Sequence, residues 1–136
     1  MLVLPIKKKW YDMLLSGEKK EEYRELKPYY TKRFLTAVQK YQLQKFKDGL
    51  CGDKSWYDCV KQDVGTSENI NCETFLECVK THKLKMYVIF RNGYSKKSPS
   101  FAAMVEISIG TGNPEWGAVP NEEYYVLKIK TIGAAE

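Results

Sequence analysis

The segment 101–109 reads FAAMVEISI, and its alternation decides the fold class. Every odd-numbered position holds an apolar residue, whereas the even positions include Glu106 and Ser108. Side chains spaced by two residues fall on one face of a β-strand. The segment therefore predicts a strand with one face in a core, formed by Phe101, Ala103, Val105, Ile107 and Ile109.

Two more strands are predicted in the carboxy-terminal third. Residues 86–91 form a mostly apolar run, typical of a strand buried on both faces. The Asn92-Gly93 pair that follows is a strong turn signal. Residues 124–132 supply the second strand.

The amino-terminal quarter combines two strands with one helix. Residues 2–6 alternate, and Pro5 favours a sheet edge or a strand end. A helix of about three turns follows, in which Trp10 shares the apolar face and is expected in the core. Gly17 is well placed to end it as a left-handed cap. Residues 19–25 then alternate as a strand.

The middle of the chain is predicted to be helical. Residues 31–47 and 72–82 have helical spacing, and glycines between them suggest loops around a short helix near Trp56. Several short strands with one early helix predict an α+β fold, a small β-barrel or strongly curled sheet of about five to six strands. The helical insertion covers about 40–84. A chain of this length has room for a single domain, 1–136.

Composition favours a folded protein that remains where it is made. The chain is 43% hydrophobic and 13% aromatic, enough apolar surface to offset the entropy of ordering. No apolar run approaches the ~20 residues that span a bilayer. Lysines follow the short apolar start rather than precede it, unlike a signal peptide. We therefore expect a cytoplasmic protein without a membrane partner.

Positive charge is concentrated in the first third of the chain. Residues 1–47 hold twelve Lys and Arg against five Asp and Glu, within a net charge of +5. A basic region of this kind can bind a polyanion through phosphate contacts. The alternative is a solvated helix surface, and charge alone leaves both open.

Cysteine spacing gives little support for a metal site. Cys51, Cys59, Cys72 and Cys78 include no Cys-x-x-Cys pair, and in the cytosol they are expected as reduced thiols. One metal-like set exists, in which Cys72, Cys78 and His82 join Cys51 or Cys59. Helical spacing instead makes Cys72 a core residue. No metal is expected, and without a phosphate loop or dinucleotide fingerprint no cofactor is expected either.

The amino-terminal region resembles the signature of the ASCH domain family. The pattern is a strand ending in Lys, a helix carrying an aromatic residue, then Gly-x-Lys-x-x-Glu-x-Arg; here it comprises Ile6, Lys7, Trp10, Gly17, Lys19, Glu22 and Arg24. The segments FRNGYS (90–95) and IGTGNPEWGA (109–118) look like a branch found in small bacterial and phage proteins.

The resemblance implies a β-barrel related to the PUA fold, with a surface cleft for RNA or modified nucleosides. Some ASCH proteins look like binding modules, some cleave RNA, and one branch hydrolyses the acyl amide of N4-acetylcytidine. That branch has Lys at position 19 but Thr at position 22 as its nucleophile. Glu22 departs from this pattern, although a carboxylate can still activate water.

Lys19, Glu22 and Arg24 are the candidate catalytic residues. Arg24 is suited to a phosphate or a base edge, Glu22 to general-base catalysis, and Lys19 to oxyanion stabilisation. The alternative is a salt bridge on an exposed strand, worth roughly 0–1 kcal/mol. We rank an RNA- or nucleoside-binding module first and a hydrolase, either a ribonuclease or an amidohydrolase, second.

The remaining predicted ligand-binding residues lie at both ends of the chain. Trp116 is placed in a loop, where it can stack on a base for about 1–3 kcal/mol or plug one end of the barrel. A third hypothesis gives residues 40–84 a protein partner. The full set of predicted binding residues is Lys7, Arg91, Asn92, Tyr94, Ser95 and Trp116.

Overall fold

The structure, a computed structural model, describes the backbone of residues 2–47 and 72–135 and the side chains of 2–44 and 74–133. Within these ranges it is an α+β protein whose five strands form one curled half-barrel sheet with three helices. The elements are β1 (Leu2–Ile6), α1 (Lys8–Ser16), β2 (Glu21–Arg24), α2 (Pro28–Lys47), α3 (Cys72–Thr81), β3 (Leu84–Asn92), β4 (Ser100–Thr111), a 3-10 turn (Pro114–Trp116) and β5 (Glu123–Ala135). The predicted helix near Trp56 and the central part of the 40–84 insertion lie outside the described residues.

The sheet has the strand order β1-β3-β4-β5-β2. β1 pairs with β3 in parallel, and the other neighbours pair antiparallel. The expectation of a strongly curled sheet is confirmed, and so is the position of Pro5 on an edge strand. β1 and β2 are thus the two edges that curling brings toward each other.

Alternating burial along β3 and β4 builds the core. On β4 the odd positions from Phe101 to Ile107 are almost completely buried, as the alternation predicts. On β3, only alternate residues are fully buried, so the prediction of burial on both faces is wrong. The other face is apolar at Tyr87 because the α2 residue Tyr41 packs against that ring, with centroids 5.0 Å apart.

The helices contribute to the same core. Phe34 and Val38 of α2 and Phe75 and Val79 of α3 are buried in the cluster that the sheet forms. The α3 residue Cys78 is also buried there and is disulfide-bonded, so the expectation of reduced thiols does not hold for it. Each helix within 2–47 and 72–135 is too short or too polar to cross a lipid bilayer.

Two arginines bind the free edge of β1. Arg24 of β2 donates from Nη2 to the carbonyl of Pro5 at 3.0 Å, and Arg33 of α2 donates from Nη2 to the carbonyl of Val3 at 3.2 Å. Alternate carbonyls of a strand point to the same side, so both reach the edge that no strand of the described residues covers. Side chains, rather than a backbone ladder, therefore connect β2 and α2 to β1.

Candidate ligand-binding cleft

A cleft of about 390 Å³ lies where β1 and β2 approach each other. Six of the residues predicted from sequence line it, and so do several that were not predicted. The predicted residues in its lining are Lys7, Lys19, Glu22, Arg24, Tyr94 and Trp116.

The turn after α1 places Lys19 at the floor of the cleft. Gly17 ends α1 in the left-handed conformation, with φ of 86°, as predicted. The next turn is held by the Lys19 amide, which donates to the carbonyl of Met13 at 2.9 Å. This turn directs the Lys19 side chain inward, where only 1% of it is exposed.

Lys19, Glu22 and Arg24 form one continuous ion-paired chain. Lys19 Nζ lies 2.9 Å from Glu22 Oε1, and Arg24 Nη2 lies 3.3 Å from Glu22 Oε2. Glu22 and Arg24 pair with Leu127 and Tyr125 on β5, so they face the buried side of the sheet. The pair is thus buried rather than on an exposed strand, and the estimate for surface salt bridges does not apply to it.

The amine of Lys19 is held by two further contacts. It donates to the carbonyl of Trp116 at 2.9 Å and lies 4.4 Å from the centroid of the Trp10 ring. Burial lowers the pKa of Lys19 from its ordinary value of 10.5, and the charge of Glu22 only partly opposes this effect. Lys19 therefore ties the strand β2 to the loop that carries Trp116.

Both oxygens of the Glu22 carboxylate accept hydrogen bonds. Oε1 accepts from the backbone amide of Tyr23 at 3.1 Å as well as from Lys19, and Oε2 accepts from Arg24. Three donors around one buried carboxylate favour a fixed anchor. Glu22 is accordingly well placed to position its neighbours.

Arg24 is the member of the chain that solvent reaches, with 16% of its side chain exposed. Its Nη1 donates to the Tyr30 hydroxyl at 3.4 Å, and the guanidinium carbon lies 5.8 Å from the Tyr30 ring. Its Nε is buried and has no hydrogen-bond partner among the described residues. A guanidinium held in this way presents a fixed plane to the cleft.

The loop after β4 forms the aromatic wall. Asn113 caps the 3-10 turn by accepting from the Glu115 amide at 3.0 Å, and its own amide donates to the Tyr23 hydroxyl at 2.9 Å. Gly117, with φ of 98°, packs against the Trp10 ring, since a Cβ there would lie 3.1 Å from that ring. Contacts with β2 and α1 therefore fix the position of Trp116.

Gly112 gives a test of how tightly this wall is packed. A Cβ there would lie 2.6 Å from Ala118 Cβ and 2.7 Å from the Tyr23 ring. We expect Gly112→Ala to lower the free energy of unfolding by about 1–3 kcal/mol, because overpacking forces the ring or the loop to move. Urea denaturation measures this. Gly110→Ala is the matched control, since its Cβ would meet nothing within 4 Å; equal losses in both variants would contradict the packing described.

Three predicted residues lie outside the lining of the cleft. Arg91 belongs to β3 and pairs with Ser100, while the Asn92 amide donates to the carbonyl of Pro99 at 2.9 Å. Ser95 Oγ accepts from the amide of Lys97 at 3.2 Å within the hairpin loop. These residues build the hairpin, which leaves Tyr94 at the rim with 89% of its surface exposed.

Several lining residues were not predicted to be in the site. Trp10 was expected in the core, but it is half-buried in the lining of the cleft, where the amines of Lys9 and Lys19 lie 4.7 and 4.4 Å from its ring centroid. Its place in the ASCH-like pattern was the signal available. Tyr23 and Tyr124 also line the cleft, with ring centroids 5.9 Å apart. Alternation put Tyr23 on the face opposite Glu22, and no local pattern marks it as a cleft residue.

In comparisons with protein-family models, curated proteins and solved structures, nothing matches this chain. The chemistry of the cleft therefore rests on its own geometry. It combines a partly exposed guanidinium, an ion-paired floor and an aromatic wall. Such a site suits a planar ligand that carries hydrogen-bond acceptors or a phosphate.

Proposed function

We propose that this protein binds RNA or an RNA-derived nucleoside in the cleft, as an ASCH-like module on a PUA-related half-barrel. The observation that carries the proposal is the Arg24 guanidinium, partly exposed and fixed by Glu22 and Pro5, in a cleft that Trp116 also lines. Among the described residues, one N–H of Arg24 Nη1 is left after the hydrogen bonds to Tyr30, Pro5 and Glu22, and it can donate to a base edge or a phosphate. Aromatic side chains add stacking of about 1–3 kcal/mol per base.

The dimensions of the cleft support a ligand of nucleoside size. Its volume of about 390 Å³ lies within the roughly 300–1,000 Å³ of small-molecule pockets. Tyr94 at the rim and Trp116 in the wall present aromatic surface, while Lys7 adds an exposed cation. A base can therefore stack inside while its phosphate remains near the rim.

Binding is better supported than hydrolysis. A general base needs a lone pair within reach of the proton it removes, and the oxygens of Glu22 already accept from three donors. One observation favours the hydrolase, namely the lowered pKa of Lys19 at 2.9 Å from a carboxylate. A lysine with a lowered pKa is a common catalytic device, so hydrolysis is the second candidate.

Trp116→Leu tests the proposal. Wild-type protein should bind short single-stranded RNA with an affinity that falls as salt rises, and the variant should bind it about 5- to 150-fold more weakly, the equivalent of ~1–3 kcal/mol of lost stacking. Titration of labelled RNA measures both, and a panel of nucleosides in a thermal-shift assay measures the smaller ligands.

Val119→Ala is the control, because Val119 is exposed on the same loop but is outside the lining of the cleft. Binding that is indifferent to Trp116 would contradict the proposal. Chromatography of the same mixtures, with N4-acetylcytidine included, would reveal turnover. If a substrate is turned over and Glu22→Gln abolishes that turnover, hydrolysis replaces binding as the proposed function.

A further inference from the structure

The helix α2 presents a second basic surface, separate from the cleft. It carries exposed Lys32 and Lys40 eight residues apart, with exposed Thr36 midway between them. Residues spaced by four lie on one face of a helix. The whole helix, Pro28–Lys47, contains no Asp or Glu, so no acidic side chain of its own offsets this charge.

These residues line a groove of about 310 Å³ between α2 and the start of β1. The lining comprises Leu2, Lys32, Arg33, Thr36, Ala37 and Lys40, and it includes no acidic residue. Among the described residues, no ion pair involves its three cations. The groove is thus a concave positive surface without a compensating carboxylate.

Arg33 is built into this groove rather than free in solvent. Its Nη2 donates to the carbonyl of Val3, and its buried Nε has no hydrogen-bond partner among the described residues. The guanidinium carbon lies 5.3 Å from the ring of Tyr29, which is 60% exposed. A fixed cation beside an exposed aromatic ring is a combination found in proteins that bind single-stranded nucleic acids.

The groove and the cleft share the free edge of β1. Arg33 binds the carbonyl of Val3 and Arg24 that of Pro5, two residues further on. The groove reaches Leu2 and the cleft reaches Pro5, a separation of about 10 Å at ~3.3 Å per residue. About three stacked nucleotides span that length at ~3.4 Å each.

We propose that the α2 groove binds the phosphates of the same RNA strand whose base occupies the cleft. This inference rests on the proposed function and narrows it, because it makes the ligand a chain rather than a free nucleoside. Lys32 and Lys40, on the exposed face of α2, contact phosphates of the strand. Arg33 lies along the course of the strand toward Arg24.

Lys32→Ala/Lys40→Ala tests the inference, with a labelled 12-nucleotide single-stranded RNA of mixed sequence as the probe. Each phosphate contact on a single strand contributes about 0.7 to the slope of log affinity against log salt. Two lost contacts should reduce that slope by about 1.4 and weaken binding on the order of 10-fold at 0.1 M salt. Thermal shifts with the four nucleosides should be unchanged.

Lys128→Ala/Lys130→Ala is the matched control, with the same change of charge at two exposed positions on β5. The inference is overturned if the control loses as much salt slope as the α2 variant, or if the α2 variant loses none. The proposed function survives either result as long as RNA binding still depends on Trp116. Binding of nucleosides but not of the RNA also overturns it. Polyglutamate is tested as a competitor. If it binds the α2 lysines as tightly as RNA does, the groove is assigned to an acidic protein instead.

Discussion

Replacing Lys19 by methionine is expected to lower the free energy of unfolding by about 3–5 kcal/mol, the usual cost of removing one partner from a buried ion pair. The amine is 1% exposed and the Glu22 side chain 8%, so neither charge has ready access to water. Methionine replaces the unbranched apolar stem of lysine, one atom shorter, and supplies no donor. The variant thus leaves Glu22 with Arg24 and a backbone amide, and leaves the carbonyl of Trp116 without its donor.

Urea denaturation of a double-mutant cycle separates the ion pair from simple packing. Lys19→Met and Glu22→Gln should each destabilise strongly, and the double variant should cost less than their sum because neither Lys19 nor Glu22 is then left buried without the other. Lys20→Met is the control, since Lys20 adjoins Lys19 in sequence but is exposed. Additive losses, or an equal loss at Lys20, would show that the buried chain contributes no coupling.

The same variant gives a pH signature of known sign. Because the folded-state pKa of Lys19 lies below 10.5, the unfolded chain holds more protons than the folded one between those two values. Stability therefore rises with pH across that window, and the burial cost is present in full below it. The excess stability of wild type over Lys19→Met should increase from pH 8 toward 10.5. A flat difference would mean that the amine is not desolvated.

Local sequence period predicted much of the frame. Alternation identified β4 and placed Glu22 and Arg24 on one face of β2, because a period of two is a property of the strand itself. Gly17 was identified as a cap because few other residues adopt positive φ without cost. These features depend on neighbours within a few positions, which the sequence displays directly.

The site needed information that no local pattern contains. Lys19 is buried beneath the loop of Trp116, 97 positions away, whose carbonyl accepts a hydrogen bond from its amine. Trp10 lines the cleft rather than the core, with the amines of Lys9 and Lys19 against its ring. Tyr87 looked like a residue of a doubly buried strand, and it is half-buried, with Tyr41 of α2 packed against its ring. The two-residue periodicity of the sequence determines where a strand forms, but long-range contacts of this kind determine which of its side chains are buried.

The ion-paired chain also explains how a site can form at an open edge. Curling leaves β1 and β2 without a backbone ladder between them, and Arg24 links them through Pro5 and Glu22. The same guanidinium is the group that the cleft offers to a ligand. Structural and recognition roles are therefore combined in one side chain, and two substitutions of different charge can separate them.

Arg24→Lys and Arg24→Gln are expected to weaken RNA binding by different routes. Lysine keeps the charge but loses the planar guanidinium and its Nη1 donor, so affinity should fall about 10- to 150-fold, the equivalent of ~1.5–3 kcal/mol for a hydrogen bond to a charged group, with the salt slope unchanged. Glutamine also loses the charge, so the slope should fall further by about 0.7. Both variants lose bonds to Pro5 and Glu22, so each is first shown by urea denaturation to be folded at the assay temperature.

Intrinsic tryptophan fluorescence follows binding, because Trp10 and Trp116 line the cleft with Arg24. Arg33→Lys provides the comparison, since Arg33 binds a β1 carbonyl in the same way but lies outside the cleft lining. If Arg24→Lys binds RNA as tightly as wild type, the guanidinium makes no specific contact with RNA, and its role is to join β1 and β2. If instead Arg24→Lys and Arg33→Lys weaken binding equally, the loss comes from the disturbed edge of β1, which both arginines bind, and not from a contact specific to the cleft. Only a loss of RNA affinity specific to Arg24, with the salt slope preserved in Arg24→Lys, agrees with a base or phosphate held by the guanidinium.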